Sequence, residues 1–391
     1  MEQTVTDVLL ALLRLEINGV GAAEDSFAEL LDSPDTRKAL YQLAKKHDMA
    51  HLLCAALERC SLLPKDDEVT AKLQKQQMLA VYRYQRFQYE LQQLCCLLEE
   101  AAIAFIPLKG SVLRRFYPEP WMRTSCDIDI LVKPTDLERA ISLLVEKHGY
   151  TNKGRDYHDV SLFSPSGVHL ELHFDLVEEE YANRVGELLA CVWDHVSPVD
   201  GCTYHMEMTD EMFYCYHVAH MAKHIEFGGC GIRPFLDLWI LDHRVPHDRQ
   251  ARDAMLARGN LLTFANAARE LSEIWFSGNA HHEWSKRLQD YVLEGGVYGT
   301  MNNRIAVQQK RSGGGFAYVL SRIFLSYESL RSLYPILNKH RWLTPFMQVR
   351  RWFRLLFGGR MRSSMRELKI NQEISDSQRQ STADLMDRLG L

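Results

Sequence analysis

Apolar positions along this chain repeat with two different periods. From the N-terminus to about residue 100 the period is helical. Val8, Leu9, Leu12, Leu13 and Leu15 form one stripe, and Ala39, Leu40, Leu43, Ala44, Met49, Leu52 and Leu53 continue it. Leu73, Met78, Leu79, Val81, Phe87, Leu91, Leu94 and Leu98 then predict a long helix over 69–100. Asp66, Asp67 and Glu68 stand at its start, where the helix dipole favours acids. The period changes to two in the segment that follows. Residues 103–108 read as a strand, 127–132 as a second, and 160–163 with 168–176 as a hairpin turning at Ser164-Pro-Ser-Gly167. From about residue 209 the helical period returns, with Leu261, Leu262, Phe264, Ala267, Leu271, Ile274 and Trp275 as core candidates.

The strand Asp127-Ile-Asp-Ile-Leu-Val132 organises the rest. Pro134, a Thr135/Glu138 capping box, an apolar stripe from Leu137 to Val145 and Gly149 predict a helix directly after it. Period two puts Asp127 and Asp129 on one face of the strand. Two carboxylates side by side repel each other, and an oxygen-rich pair suits Mg²⁺ or Mn²⁺. Upstream, Gly110-Ser111 forms a turn into a short helix, where backbone N–H groups can approach an anion, and Lys109 adds a point charge. A phosphate cradle followed by a carboxylate pair on the next strand is the layout for metal-assisted nucleotidyl transfer. On the second hairpin strand, His169, Glu171, His173 and Asp175 share one face, which is either open to water or the wall of a site. A competing metal reading falls on the helix near 217–224. His220 and His224 are four apart as in HExxH zinc motifs, but Met221 follows His220 where that motif has Glu.

The linked set Leu108-Lys109-Gly110, Tyr117-Pro118, Arg123, Asp127-Ile-Asp-Ile-Leu-Val132 and Gly149-Tyr150 resembles the bacterial "uncharacterised nucleotidyltransferase" family of the DNA polymerase β-like superfamily. Fifteen residues separate Ser111 from Asp127, a longer insertion than in the minimal enzymes. The resemblance implies an α+β fold, a small mixed nucleotidyltransferase sheet flanked by N-terminal and C-terminal helical domains. It implies a third carboxylate on a strand after the DxD strand, assigned to Glu171 with Asp175 as the competitor, and His173 as a buttress for a carboxylate or substrate. Metal ligands would then be Asp127, Asp129 and Glu171. It also places Lys109, Gly110, Ser111 and Arg123 at the triphosphate. Lys223, His224 and Arg233 would close over the nucleotide, with Lys223 and Arg233 gripping the phosphates and Asp237 holding one of those two cations in place. The activity implied is transfer of an NMP from an NTP to an unidentified acceptor, a hydroxyl of a small molecule, sugar, peptide, protein or RNA end. The alternative is a non-catalytic adaptor that keeps the fold.

Bulk properties refine this in three ways. A length of 391 residues suggests several domains, divided at 1–100, 101–205 and 206–391. A net charge of -5 argues against a general nucleic-acid coat protein. Nine scattered cysteines without a CxxC, and an N-terminus lacking a basic segment, read as a cytoplasmic protein with reduced thiols. Residues 339–369 carry nine basic residues, among them Arg360, Arg362 and Arg366, against one acid, Glu367, with Trp342, Phe346, Trp352 and Phe353 interleaved. That composition reads first as a helix capping the C-terminal domain, its apolar positions in the core. Peripheral contact with anionic lipid or an acidic partner is the alternative. Arg311-Ser-Gly-Gly-Gly315 reads as a linker, and residues 371–391 as a frayed polar end.

Overall fold

The structure, a computed structural model, describes residues 2–19, 25–176, 182–357, 367 and 369–391. The chain divides into two compact units, Met1–Met221 with Gly231–Gln289, and Ala222–Cys230 with Asp290–Leu391.

The first unit begins with α1 (Glu2–Asn18), α2 (Asp25–Leu31), α3 (Pro34–Lys46), α4 (Ala50–Arg59) and the long α5 (Glu68–Glu100). Asp67 caps α5, its side chain accepting from the backbone N–H groups of Val69 at 3.0 Å and Thr70 at 3.2 Å. Strands follow as β1 (Phe105–Pro107), β2 (Asp127–Val132), β3 (Thr151–Arg155), β4 (Asp159–Phe163) and β5 (His169–His173), in the spatial order β1-β2-β5-β4-β3. β2 and β5 run parallel and the other neighbours antiparallel, so the sheet is mixed. Between β1 and β2 lies the short helix α6 (Gly110–Leu113), and after β2 comes α7 (Leu137–Ser142).

One face of this sheet is the core. Ile128, Ile130 and Val132 of β2, Leu170 and Leu172 of β5, and Val160 and Leu162 of β4 pack with Phe87, Leu91, Leu94 and Leu98 of α5 and Leu137, Ala140 and Leu144 around α7. Because side chains alternate along a strand, burying these residues sends Asp127, Asp129, His169, Glu171 and His173 to the opposite face.

Local departures from the sequence expectation have identifiable causes. The Thr135/Glu138 capping box does not form: Pro134–Asp136 is a 3-10 turn, α7 starts without a side-chain cap, and a π-helical stretch Leu143–Lys147 finishes it. The Glu138 carboxylate instead meets Arg155 of β3 at 2.8 Å. β3 has five exposed residues and no apolar alternation, which is why the pattern does not announce it. A two-stranded ribbon, β6 (Val196–Pro198) and β7 (Met206–Met208), follows α8 (Ala182–Ala190). Its loop is latched to α5, since the Glu99 carboxylate accepts N–H groups from Thr203, Tyr204 and His205 at 2.7–3.2 Å. Phe105 of β1 in turn donates to Tyr204 O at 3.0 Å.

The first unit continues with most of α9 (Asp210–Glu226), then α10 (Arg233–Arg244), α11 (Arg249–Arg258) and α12 (Leu262–Ser277); α13 (Glu283–Gly295) crosses into the second unit. The second unit holds α14 (Met301–Ser312), α15 (Gly315–Ile323), α16 (Tyr327–Leu333), α17 (Thr344–Phe357) and a last helix, Asp376–Leu389. The Gly313-Gly314 pair is a tight helix stop in left-handed conformation, not an open linker. The terminal helix is also not frayed: Ser375 and Gln378 form a capping box, and Leu385, Met386 and Leu389 are buried. Residues Arg360, Arg362 and Arg366 lie outside the described residues. All nine cysteines are free thiols, and among the described residues no helix is long and apolar enough to cross a membrane.

The Glu99 latch gives a pH-dependent prediction. Its three N–H donors hold the carboxyl below its ordinary range against the opposing effect of burial. A depressed folded pKa means the stabilisation is present above the unfolded value and is lost as pH falls through the folded one. Amides 203–205 should therefore be protected from hydrogen exchange at pH 7 and lose that protection selectively in acid. Glu99→Gln should lose it at both.

Candidate active site

The site begins where β1 ends. Leu108 donates its N–H to Asp129 O at 3.0 Å, and the chain then turns sharply at Lys109, with φ +46° and ψ −121°. Only glycine enters that region without strain, so the turn costs about 1–3 kcal/mol. It aims the Lys109 ammonium at β2, with Nζ 2.7 Å from Asp129 Oδ1 and 4.0 Å from Glu171 Oε2. Gly110 is required for a different reason from the one its position before a helix suggests. A Cβ there would lie 2.3 Å from Ser125 Oγ, so glycine lets the turn close against the loop that leads into β2. Beside it, the Ser111 hydroxyl oxygen is buried and has no hydrogen-bond partner.

Asp129 is 3 % exposed and lies opposite Glu171 in the parallel β2–β5 register, as Asp127 lies opposite His169. Besides Lys109, it accepts a hydrogen bond from His173 Nε2 at 2.9 Å. Burial alone would raise the Asp129 carboxyl, but Lys109 and His173 hold it well below the usual carboxylate range. Asp127 behaves oppositely. Its carboxylate makes no hydrogen bond or ion pair among the described residues, and burial, reinforced by Asp129 and Glu171, pushes it up. His173, almost wholly buried, would be lowered by burial, yet its bonds to Asp129 and Glu171 raise it. Ligand atoms converge in two overlapping sets, Asp127–His169–Glu171 and Asp129–Glu171–His173, each within 4.8 Å. Glu171 belongs to both. Asp175 lies past the end of β5, its N–H 3.3 Å from His158 O.

The loop from Tyr117 to Cys126 is fixed from below. Arg123 Nε donates to both Asp237 oxygens at 2.8 and 3.0 Å, and the Tyr117 hydroxyl donates to the same carboxylate at 2.7 Å. Asp237 is fully buried and Arg123 nearly so. Arg233 Nη1 pairs with Asp48 at 2.8 Å and donates to Thr124 O at 3.2 Å. These contacts bear on three expected roles. The partner of Asp237 is Arg123. The Arg123 guanidinium is largely buried, shared between Asp237 and Thr124 O, with Nη1 close to the Gly110 turn. Arg233 is engaged with Asp48 and Thr124. Lys223 and His224 occupy the last turn of α9 and belong to the second unit.

No metal-ligand set among the described residues includes a histidine of α9, and His217 gives its Nε2 to Pro234 O at 2.9 Å. The zinc reading of that helix therefore has no geometry behind it. A family model described as uncharacterised nucleotidyltransferase matches residues 33–277. The chain belongs to this family. No curated protein and no solved structure matches it. In this nucleotidyltransferase-family chain the matched span takes in α3 through α12, so the helices that supply Asp48 and Asp237 lie within it together with the sheet.

Three residues of this region carry no sequence signal. Tyr216 of α9 is buried, with Lys109, Asp129, Glu171 and Asp127 all acting on its hydroxyl, and burial raises it above the ordinary tyrosine range. Arg114 is buried over the Phe87 ring at 3.8 Å, donates to Gly110 O and Ser125 Oγ, and is lowered to about 9 by burial and by Arg123. Asp48 has a left-handed backbone, φ +56°. Tyr216 comes from a helix far along the chain and Asp48 from the turn between α3 and α4, where spacing conveys nothing about the sheet.

Removing one side of the buried Arg123–Asp237 pair should be far worse than removing both. Asp237→Ala should destabilise the first unit by about 3–5 kcal/mol because it strands a buried guanidinium. The double replacement Arg123→Met with Asp237→Leu should recover much of that loss, as read by chemical denaturation.

Proposed function

We propose that this chain transfers a nucleoside monophosphate from an NTP to a hydroxyl acceptor in a reaction that depends on a divalent cation, Mg²⁺ or Mn²⁺. The observation that carries the reading is Glu171, whose carboxylate completes one set with Asp127 and another with Asp129. Each set offers two carboxylates and one histidine, with Glu171 common to both, so most of the donor atoms are the oxygens that suit a hard cation. Among the described residues Asp127 has no hydrogen-bond or ion-pair partner, Asp129 is held ionised by Lys109 and His173, and the repulsion felt at Asp127 is of the kind a divalent ion relieves. Asp127, Asp129 and Glu171 would hold the ion. The chemistry it supplies when bound is a lowered pKa for the attacking hydroxyl and neutralisation of charge on the departing pyrophosphate.

The remaining roles belong to the chain. Lys109 places a fixed positive charge at the mouth of the acid group, suited to a triphosphate oxygen. The Ser111 hydroxyl oxygen, buried and without a hydrogen-bond partner among the described residues, would turn toward the same anion. Glu171, partly exposed, would take the acceptor proton, while His173 and Lys109 orient Asp129. Asp127→Asn should leave circular dichroism unchanged and lower labelled NMP transfer or pyrophosphate release by roughly two orders of magnitude or more, the scale of a contact worth several kcal/mol at the transition state. Full activity in that variant removes the acids from the chemistry.

The second unit supports peripheral binding to anionic lipid. α17 is not a core cap. Its inner side bonds to the end of α15 through Trp352 Nε1 to Ile323 O at 2.9 Å and Arg351 to Arg322 O at 2.9 Å. Its outer side leaves Phe346 62 %, Val349 43 % and Phe353 58 % exposed, one helical face beside Arg350 and Arg354 and without an acid in the helix. Sedimentation with phosphatidylglycerol vesicles should capture the full chain more strongly than phosphatidylcholine vesicles and lose it with salt. Phe346→Asp with Phe353→Asp should weaken capture by about tenfold or more, given ~1.5–3 kcal/mol per buried aromatic.

A further inference from the structure

His173 has two ring nitrogens, and only one is accounted for. Asp129 is an ionised, acceptor-only carboxylate, so the ring atom facing it at 2.9 Å, Nε2, carries the proton. In the neutral ring the lone pair is then on Nδ1. That atom is buried and, among the described residues, has no hydrogen-bond partner. A buried imidazole nitrogen without a partner forfeits its hydration and gains nothing in return. The same ring also belongs to a third convergence of ligand atoms, which includes neither Asp127 nor Glu171. One nitrogen each of His158 and His173 and a carboxylate oxygen of Asp159 lie within 4.8 Å of one another.

The backbone fixes this cluster. Asp159 is the register partner of His173 across the antiparallel β4–β5 pair, so their side chains share a face. His158 is the residue just before β4, and its carbonyl accepts from Phe174 N at 3.0 Å, closing the end of β5 around it. His158 Nε2 lies 3.3 Å from Asp159 Oδ2, and the two imidazole rings are 5.4 Å apart at 35°.

We propose that His158, Asp159 and His173 form a second cation site, separate from the acid group, which takes a borderline transition ion such as Zn²⁺. Two imidazoles and one carboxylate suit Zn²⁺ better than Mg²⁺, which prefers oxygen throughout. Three protein ligands also leave a position for water, as in open zinc sites. The ion fixes His173 as the Nε2–H tautomer, the carboxylate–histidine–metal arrangement that orients both ligand and carboxylate. Here that carboxylate is Asp129. The second site is thereby a positioning device for the first, built into the end of the β4–β5 ladder of the same sheet.

The test uses the full chain, stripped with chelator and titrated with Zn²⁺ alone by calorimetry, with excess Mg²⁺ present throughout to occupy oxygen sites. One Zn²⁺ should bind per chain and raise the thermal midpoint. His158→Ala and Asp159→Asn should each weaken binding by about tenfold or more and abolish that rise, while remaining folded by circular dichroism. Asp127→Asn, which lies outside the cluster, should keep Zn²⁺ affinity within about twofold even where it removes nucleotidyl transfer. Failure of the transfer reading would therefore leave this result untouched. The proposal is overturned if the native chain binds no Zn²⁺ under these conditions or if His158→Ala and Asp159→Asn bind as the native chain does. It is equally overturned if Asp127→Asn is the variant that loses the ion, which would put Zn²⁺ on Asp127–His169–Glu171.

Discussion

An ionised carboxylate that is nearly sealed from water has to be compensated, and the way Asp129 is compensated shapes everything around it. Lys109 and His173 approach the same Oδ1 atom from different elements, the turn after β1 and the end of β5. Lys109 reaches it through the antiparallel β1–β2 pairing, and His173 through the parallel β2–β5 pairing, which sets Asp129 opposite Glu171 and places His173 two residues further along. The charge balance and the strand order are thus a single constraint. A one-residue slip in register would send the acids into the apolar core and the isoleucines of β2 to the polar face.

The sheet alone does not make a site, because the loop between α6 and β2 is long and has to be held down. Two polar ties do this, Arg123 with Asp237 and Tyr117, and Arg233 with Asp48 and Thr124. Both reach from the loop to helices on either side of it in sequence, so the N-terminal helices and α10 act as its clamps. The buried Arg123–Asp237 pair adds little net stability compared with apolar packing, but it is strongly directional. The value of both ties is in fixing one loop conformation beside the acids.

How much of this was legible depended on the range of the interaction. β2 and β5 could be read because Ile128, Ile130, Leu170 and Leu172 alternate with polar residues, and burial of one set dictates where the other goes. β3 could not, since its residues face water on both sides. The capping box at Thr135 failed for a related reason: a local motif was outcompeted when Glu138 found Arg155 across the sheet edge. The partner of Asp237 was misread because spacing within a helix says which side chains share a face but not what lies opposite. The resemblance placed Arg123, Arg233 and Asp237 in one neighbourhood, yet their pairing was set by packing between elements far apart in the chain. The outward face of α17 was misjudged for the reverse reason, since an apolar stripe looks the same whether or not something covers it.

Position 109 couples two properties that are usually independent. A glycine would adopt its backbone angles comfortably, but would leave Asp129 with His173 as its one side-chain hydrogen-bond donor among the described residues. Lysine keeps the ammonium and accepts the contorted main chain. At this residue local conformational ease and the electrostatics of the acid face cannot be adjusted separately, so relaxing the turn necessarily alters how readily the neighbouring carboxylates exchange their counterion.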